Sequence, residues 1–156
     1  MHNKKKDEKA SHTTGYTCFT RAWATREKNG QIHGPDYLAE IFLPAFAKVI
    51  LNIAPFRKLF LRKFAPPGAY EYIIASTQLF DKIFLDALEK RVPQIAILGA
   101  GMDTRALRFA NKNQGTKVIE LDIEQTQHTK LQLLTRNNVA LPDELFFAPI
   151  DINHQS

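Results

Sequence analysis

The run Ile95-Ala96-Ile97-Leu98, followed at once by Gly99-Ala100-Gly101, constrains this chain more than any other feature. Four consecutive apolar residues ending at a glycine read as a strand covered on both faces, as in a parallel sheet. Gly99 and Gly101 carry no Cβ, so the backbone can turn sharply there and a ligand can approach it closely. A helix predicted from about Thr104 to Lys112 would offer that ligand free N–H groups and a positive dipole end. Val118-Ile119-Glu120-Leu121-Asp122 reads as a second strand, Glu124 to Asn137 as a second helix, and Leu145 to Ile150 as a third strand. This β-α-β-α-β order with short connections is half of a doubly wound, Rossmann-like α/β sheet with parallel strands.

The sequence before Val92-Pro93 has a different, helical character. Residues 1–12 are polar and charged, which predicts a disordered tail. Residues 13–91 read as a helical cap or lid segment, and 92–156 as the first half of the sheet domain. The pattern from Thr13 to Lys28 suits a helix, stopped by Asn29-Gly30. Asp36 is placed to cap the next helix, in which Leu38, Ile41, Phe42, Phe46, Val49 and Ile50 follow helical spacing. Pro44 should kink this helix or mark its restart. A short basic helix from Pro55 through Lys63 precedes the break Ala65-Pro66-Pro67-Gly68. A long helix from about Tyr70 to Lys90 follows, with Ile73, Leu79, Phe80, Ile83, Phe84 and Leu88 as its expected core stripe. The chain stops a few residues past the third strand. A three-stranded half-sheet with an uncovered edge is a poor autonomous domain, so a partner, a second copy or further polypeptide is expected to cover that edge.

Composition excludes several classes. The formal charge of +5 is concentrated in Lys4-Lys5-Lys6, Arg57-Lys58 and Arg62-Lys63. No nucleic-acid module accompanies it, so a solvated tail and a cationic helix face are expected, with no nucleic-acid partner. The single cysteine, Cys18, allows no internal disulfide or CxxC site and fits a reduced, cytoplasmic setting. It reads as a small apolar residue on a helix face. The N-terminus lacks the apolar core of a secretory signal. The most apolar run, Ile41 to Phe56, is too short and interrupted for a membrane span. The five histidines show no metal-ligand spacing, so no metal site is expected.

Three positions carry candidate chemistry. The glycine turn departs from the dinucleotide pattern GxGxxG, with Thr104 where the third glycine would stand. Asp103 lies within the turn, where a carboxylate repels a pyrophosphate but accepts hydrogen bonds from a cationic ligand. S-adenosylmethionine, with its sulfonium and ammonium, suits the turn better than NAD. Glu120 and Asp122 follow the first glycine by about twenty residues, where such folds place a carboxylate for a ribose diol. Alternation puts both on one side of the strand, and Asp122 is nearer its carboxyl end. Asp151-Ile152, just past the third strand, is positioned to accept from an adenine amino group and to pack on its ring.

Together these strings resemble the leucine carboxyl methyltransferase family, notably its bacterial and archaeal S-adenosylmethionine-dependent members. The resemblance rests on Leu98-Gly99-Ala100-Gly101-Met102-Asp103-Thr104-Arg105, on Glu120-Leu121-Asp122, on Asp151-Ile152, on Tyr72 through Asp81, and on Thr20-Arg21-Ala22. It implies a class I methyltransferase fold lacking its C-terminal half, with S-adenosyl-L-methionine as cofactor. It implies cofactor contacts at Gly99, Ala100, Gly101, Asp103, Arg105, Glu120, Asp122, Asp151 and Ile152, with Arg21 helping to cover the pocket. Ser76 occupies the place of a family arginine that meets the cofactor's carboxylate. Its loss should weaken binding by about 1.5–3 kcal/mol, the worth of a charge-assisted hydrogen bond. The Asp-Pro expected after the first helix appears instead as Gly34-Pro35-Asp36. The implied reaction is O-methyl transfer to a carboxyl or hydroxyl of a small molecule or peptide, which requires at most a weak base, so no catalytic residue is named. Two alternatives stay open: a non-catalytic or truncated cofactor-binding fragment, and a fragment of a nicotinamide-binding oxidoreductase.

Overall fold

A computed structural model describes residues 15–27, 36–53, 55, 59 and 66–151. The expected tail, the Gly34-Pro35 turn, most of the basic segment after Pro55, and Ile152 lie outside these residues. The described residues form two compact units, one ending at Phe80 and the other beginning at Asp81.

In the first unit, residues 15–24 form helix α1. Cys18, Phe19, Ala22 and Trp23 on it are buried. Trp23 meets the ring of Phe19 edge-on at 6.4 Å between centroids and that of Tyr70 at 5.3 Å. Burial and the neighbouring Glu27 carboxylate, which accepts a hydrogen bond from the Tyr70 hydroxyl at 3.0 Å, push the Tyr70 phenol above its ordinary range. Asp36 does cap the next segment: its Oδ1 accepts the N–H of Ala39 at 3.1 Å, and its Oδ2 pairs with Arg21 at 2.8 Å. That segment is a 3₁₀ turn, Ala39–Phe42, and Pro44 then restarts the chain as α2, Ala45–Asn52. A proline at the helix start costs nothing, because its missing N–H would have no partner there. The buried apolar residues of the two segments are Ala39, Leu43, Ala47 and Leu51. The expected stripe is displaced, for Phe46 and Val49 are exposed. Breaking the helix at Pro44 resets its phase, so periodicity carried across the break points to the wrong face.

Helix α3, Ala69–Glu89, matches its expected extent. Its buried positions are Tyr70, Ile74, Thr77, Asp81, Phe84 and Leu88. This i, i+4, i+7 series corrects the expected stripe: Leu79, Phe80 and Ile83 are exposed, and polar Thr77 and Asp81 are buried in their stead. Asp81 is tolerated because two guanidinium groups meet it.

The second unit holds β1 (Gln94–Leu98), α4 (Arg105–Arg108), β2 (Lys117–Asp122), α5 (Glu124–Arg136) and β3 (Leu145–Pro149). The three strands are parallel in the order β1-β2-β3, with Ile95 beside Val118 and Val118 beside Leu145. A helical segment followed by this alternation is the N-terminal part of a Rossmann-like α/β fold. The core gathers Phe84, Leu88, Ala106, Val118 and Leu145, with Ile95, Ile97, Leu107, Phe109 and Phe147 against it. Every strand residue in that set lies on one face of the sheet. The reason is topological: successive right-handed crossovers advancing in one direction deliver their helices to the same side. The other face, with Ala96, Leu98 and Phe146, is exposed, and Leu98 is 70% accessible. The expectation of a β1 covered on both faces is therefore corrected among the described residues.

Entry into β2 is set by Asn113, whose Oδ1 accepts the N–H groups of Gly115 and Thr116 at 3.1 and 2.8 Å. Gly115 takes the left-handed backbone (φ +99°) that this turn needs. The helix expected over Thr104 to Lys112 is instead a single α-turn, Arg105–Arg108, followed by a 3₁₀ turn, Ala110–Lys112.

Candidate functional site

The strand end and the turn after it are built from local causes. Gly99 and Gly101 both adopt positive φ, +60° and +51°. A side chain is strained in that region, and glycine is not. Among the described residues, a Cβ built on Gly99 would meet nothing within 4 Å, and one on Gly101 only the Gly99 carbonyl at 3.9 Å. The turn therefore faces open space, not packed side chains. It is tied to β2 at two points. Ala100 N–H donates to the Leu121 carbonyl at 3.1 Å, and Gly101 N–H donates to Asp122 Oδ2 at 2.6 Å. The other Asp122 oxygen accepts its neighbour Ile123 N–H at 2.7 Å. Two amide donors thus orient the Asp122 carboxylate at the carboxyl end of β2, and each oxygen keeps a further lone pair for a ligand hydroxyl. The Ile150 N–H donates to the Asp122 carbonyl at 2.9 Å, which brings the end of β3 to the same edge. Asp151 follows there, exposed.

Asp103, expected to receive a cationic ligand, has partners within the chain. Its carboxylate accepts the Arg105 N–H at 2.7 Å and pairs with the Arg105 guanidinium. Asp103 is thus a helix cap, and its partner Arg105 reaches on to Asp81 at 3.0 Å. Arg108 grips the same Asp81 with two bonds of 2.7 Å and donates from Nε to Thr104 at 2.8 Å. Because α4 is one turn long and its first N–H is bonded to Asp103, the helix start offers a ligand less dipole and one fewer free N–H than a long helix would.

Glu120 and Asp122 share a strand but have separate surroundings. Glu120 is 1% exposed and pairs with Lys130 Nζ at 2.5 Å, while its Oε1 has no hydrogen-bond partner among the described residues. Burial raises the Glu120 carboxyl above its ordinary range, with the Lys130 ammonium opposing the shift. Asp122 lies at the surface edge, beside the turn. The site thus brings together Gly99, Ala100, Gly101 and Asp122, with Asp151 at the adjoining strand end. Arg105 faces Asp103 and Asp81. Arg21 and Ser76 belong to the first unit, where Arg21 pairs with Asp36 and donates to the Cys18 sulfur at 3.2 Å.

The sequence motifs assign no role to Asp81, Arg108 or Lys130. A signal for Lys130 was available: Gln127, Lys130 and Leu134 occupy the buried stripe of α5, and long polar side chains at core positions call for partners. Among the described residues no three His, Cys, Asp or Glu side chains are grouped to hold a metal ion. None of the described helices is long and apolar enough to cross a membrane.

A parallel β-α-β-α-β sheet with an open glycine turn after β1 and an oriented carboxylate at the end of β2 defines a Rossmann-like nucleotide-cofactor fold. The chain belongs to the leucine carboxyl methyltransferase family, whose pattern it matches over residues 16–156. It is 32% identical over 142 residues to a protein of Mycolicibacterium paratuberculosis (strain ATCC BAA-968 / K-10), covering 86% of this chain and 43% of that one. It is 34% identical over 84 residues to one of Mycobacterium ulcerans (strain Agy99), covering 54% and 27%. Each carries the name "Putative S-adenosyl-L-methionine-dependent methyltransferase". The chain thus spans less than half the length of these relatives.

Proposed function

We propose that this chain carries the cofactor-binding cradle of an S-adenosyl-L-methionine-dependent methyltransferase that acts on a carboxyl or hydroxyl oxygen of a small molecule or peptide. The observation that carries this reading is the open turn at Gly99 and Gly101 locked to the Asp122 carboxylate at 2.6 Å. The residues fit the group. The glycines leave room for its atoms to lie against backbone, and Asp122 has lone pairs directed for a ribose diol. Asp151 stands at the neighbouring strand end for an adenine amino group. When bound, the cofactor supplies an electrophilic methyl on a sulfonium. The chain's own task is to orient that group and exclude water, which is where positioning contributes most.

Calorimetric titration with S-adenosylhomocysteine tests the cradle. The chain should bind it in preference to NAD, and Asp122→Ala should abolish the heat. Unchanged affinity in that variant, or NAD binding alone, would overturn the reading. Incubation with methyl-labelled cofactor and candidate acceptors tests the chemistry: a methyl ester is released by mild alkali and a methyl ether is not. A second reading, cofactor binding without turnover unless further polypeptide covers the sheet, is favoured by the exposed Ala96, Leu98 and Phe146. Robust turnover by the chain alone would remove it.

A further inference from the structure

We propose that Lys130 is a positioning residue for the glycine turn: its buried ammonium ties the far end of the turn to β2. Its side chain is fully buried, and Nζ donates to Glu120 Oε2 and to the Asp103 carbonyl, each at 2.5 Å. Asp103 ends the turn that starts at Gly99, and beside the Arg105 pairing of its carboxylate its carbonyl is anchored by Lys130. Ala100 and Gly101 are held by β2, and Asp103 is held by α5 through Lys130. The shortness of α4 gives the Lys130 anchor its weight. A long helix would order the turn through its own backbone bonds, but α4 has only four residues. An ammonium and a carboxylate taken out of water pay a desolvation penalty that an apolar pair of similar volume avoids. Stability alone therefore gives little reason for this pair in the core. Its distinctive yield is direction: an ammonium donates to a carbonyl at a defined place, and a methionine does not. Glu120 Oε1, which has no hydrogen-bond partner among the described residues, fits this view. In this arrangement Glu120 acts through Lys130, while Asp122 faces the open cradle.

The functional half of this inference rests on the cofactor reading above. The test uses the full chain with Glu120→Gln/Lys130→Met, which removes both charges and leaves neither uncompensated. Lys130→Met alone strands the Glu120 charge and should be the less stable of the two. Amide hydrogen exchange is followed by mass spectrometry in residues 99–105 and 118–121, and affinity for S-adenosylhomocysteine by calorimetry. The expected result for the double variant is exchange about tenfold faster in the turn, unchanged exchange in β2, and affinity about tenfold weaker, the scale of one charge-assisted hydrogen bond. Turn exchange equal to wild type overturns the inference. So does acceleration of turn and strand together, which would make Lys130 a general stabiliser. Faster turn exchange with unchanged affinity overturns the functional half. If the wild-type chain binds no S-adenosylhomocysteine, the cofactor reading fails, and the exchange pattern still decides whether Lys130 holds the turn.

Discussion

Replacing Asp81 with asparagine should cost the second unit about 3 kcal/mol, near the lower end of the range for breaking a buried ion pair. Asp81 has a side chain 7% exposed and accepts three guanidinium bonds: one from Arg105 at 3.0 Å and two from Arg108 at 2.7 Å. Asparagine keeps one acceptor oxygen but turns an NH2 toward a guanidinium, so the bidentate grip of Arg108 is lost. At ~1.5–3 kcal/mol per charge-assisted bond, three bonds would sum to roughly 5–9 kcal/mol, and two features reduce that figure. Arg105 retains Asp103 as a partner, and its side chain is 16% exposed. Arg108, 2% exposed, keeps Thr104 Oγ1 and the face of Phe109 among its contacts, neither of which carries a charge. With an m-value of about 2 kcal/mol/M, the urea midpoint should fall by about 1.5 M at unchanged slope. Adding Arg108→Met to Asp81→Asn should restore part of the loss, because the second change removes a buried cation that has lost its carboxylate. A midpoint shift under about 0.3 M, or strict additivity of the two changes, would refute the view of Asp81 as the acceptor that holds α4 to α3.

Two further outcomes concern the turn and β2. Gly99→Ala should cost only about 1 kcal/mol of stability, from a left-handed backbone without a clash, since none of the described residues lies within 4 Å of the added methyl. The same variant should lose at least about tenfold in S-adenosylhomocysteine affinity, because the methyl stands where the ligand needs room; paired thermal melts and calorimetry check both. For Glu120, whose carboxyl is raised in the folded state from a reference of 4.5, the folded form holds the proton more tightly than the unfolded form. Its contribution to stability is therefore largest below that reference and declines as pH rises through the folded pKa. Denaturation of wild type and Glu120→Gln at a series of pH values should show the wild-type advantage shrinking from about pH 4.5 upward. A growing advantage would reverse the assigned direction.

Some of this protein is a local property of its sequence. Pro44 restarts a helix wherever it lies, Asp36 caps the segment that follows it, and Asn113 with Gly115 closes a turn through bonds within three residues. The apolar runs at β1, β2 and β3, separated by helical periods, sufficed for a parallel α/β half-sheet. Gly99 and Gly101 marked the place where backbone must turn and a ligand can approach. Each rests on φ preferences or on spacing along the chain, which do not depend on distant partners.

What only the tertiary structure decided is which groups those local devices meet. Leu79, Phe80 and Ile83 lie on a helical stripe in the sequence, yet the face that packs carries Thr77 and Asp81, because Arg105 and Arg108 arrive more than twenty residues later to neutralise the aspartate. Asp103 lies within the turn in the sequence, and its pairing with Arg105 appears only in the fold. Glu120 and Asp122 share a side of one strand, but Lys130, reaching over from α5, draws the first into the core and leaves the second at the cradle. A charge's role depends on its partner and on the water around it, and both are set by residues far away in the chain. The glycine turn is thus written in the sequence, while the anchors that give it a shape exist only once strand and helix have packed.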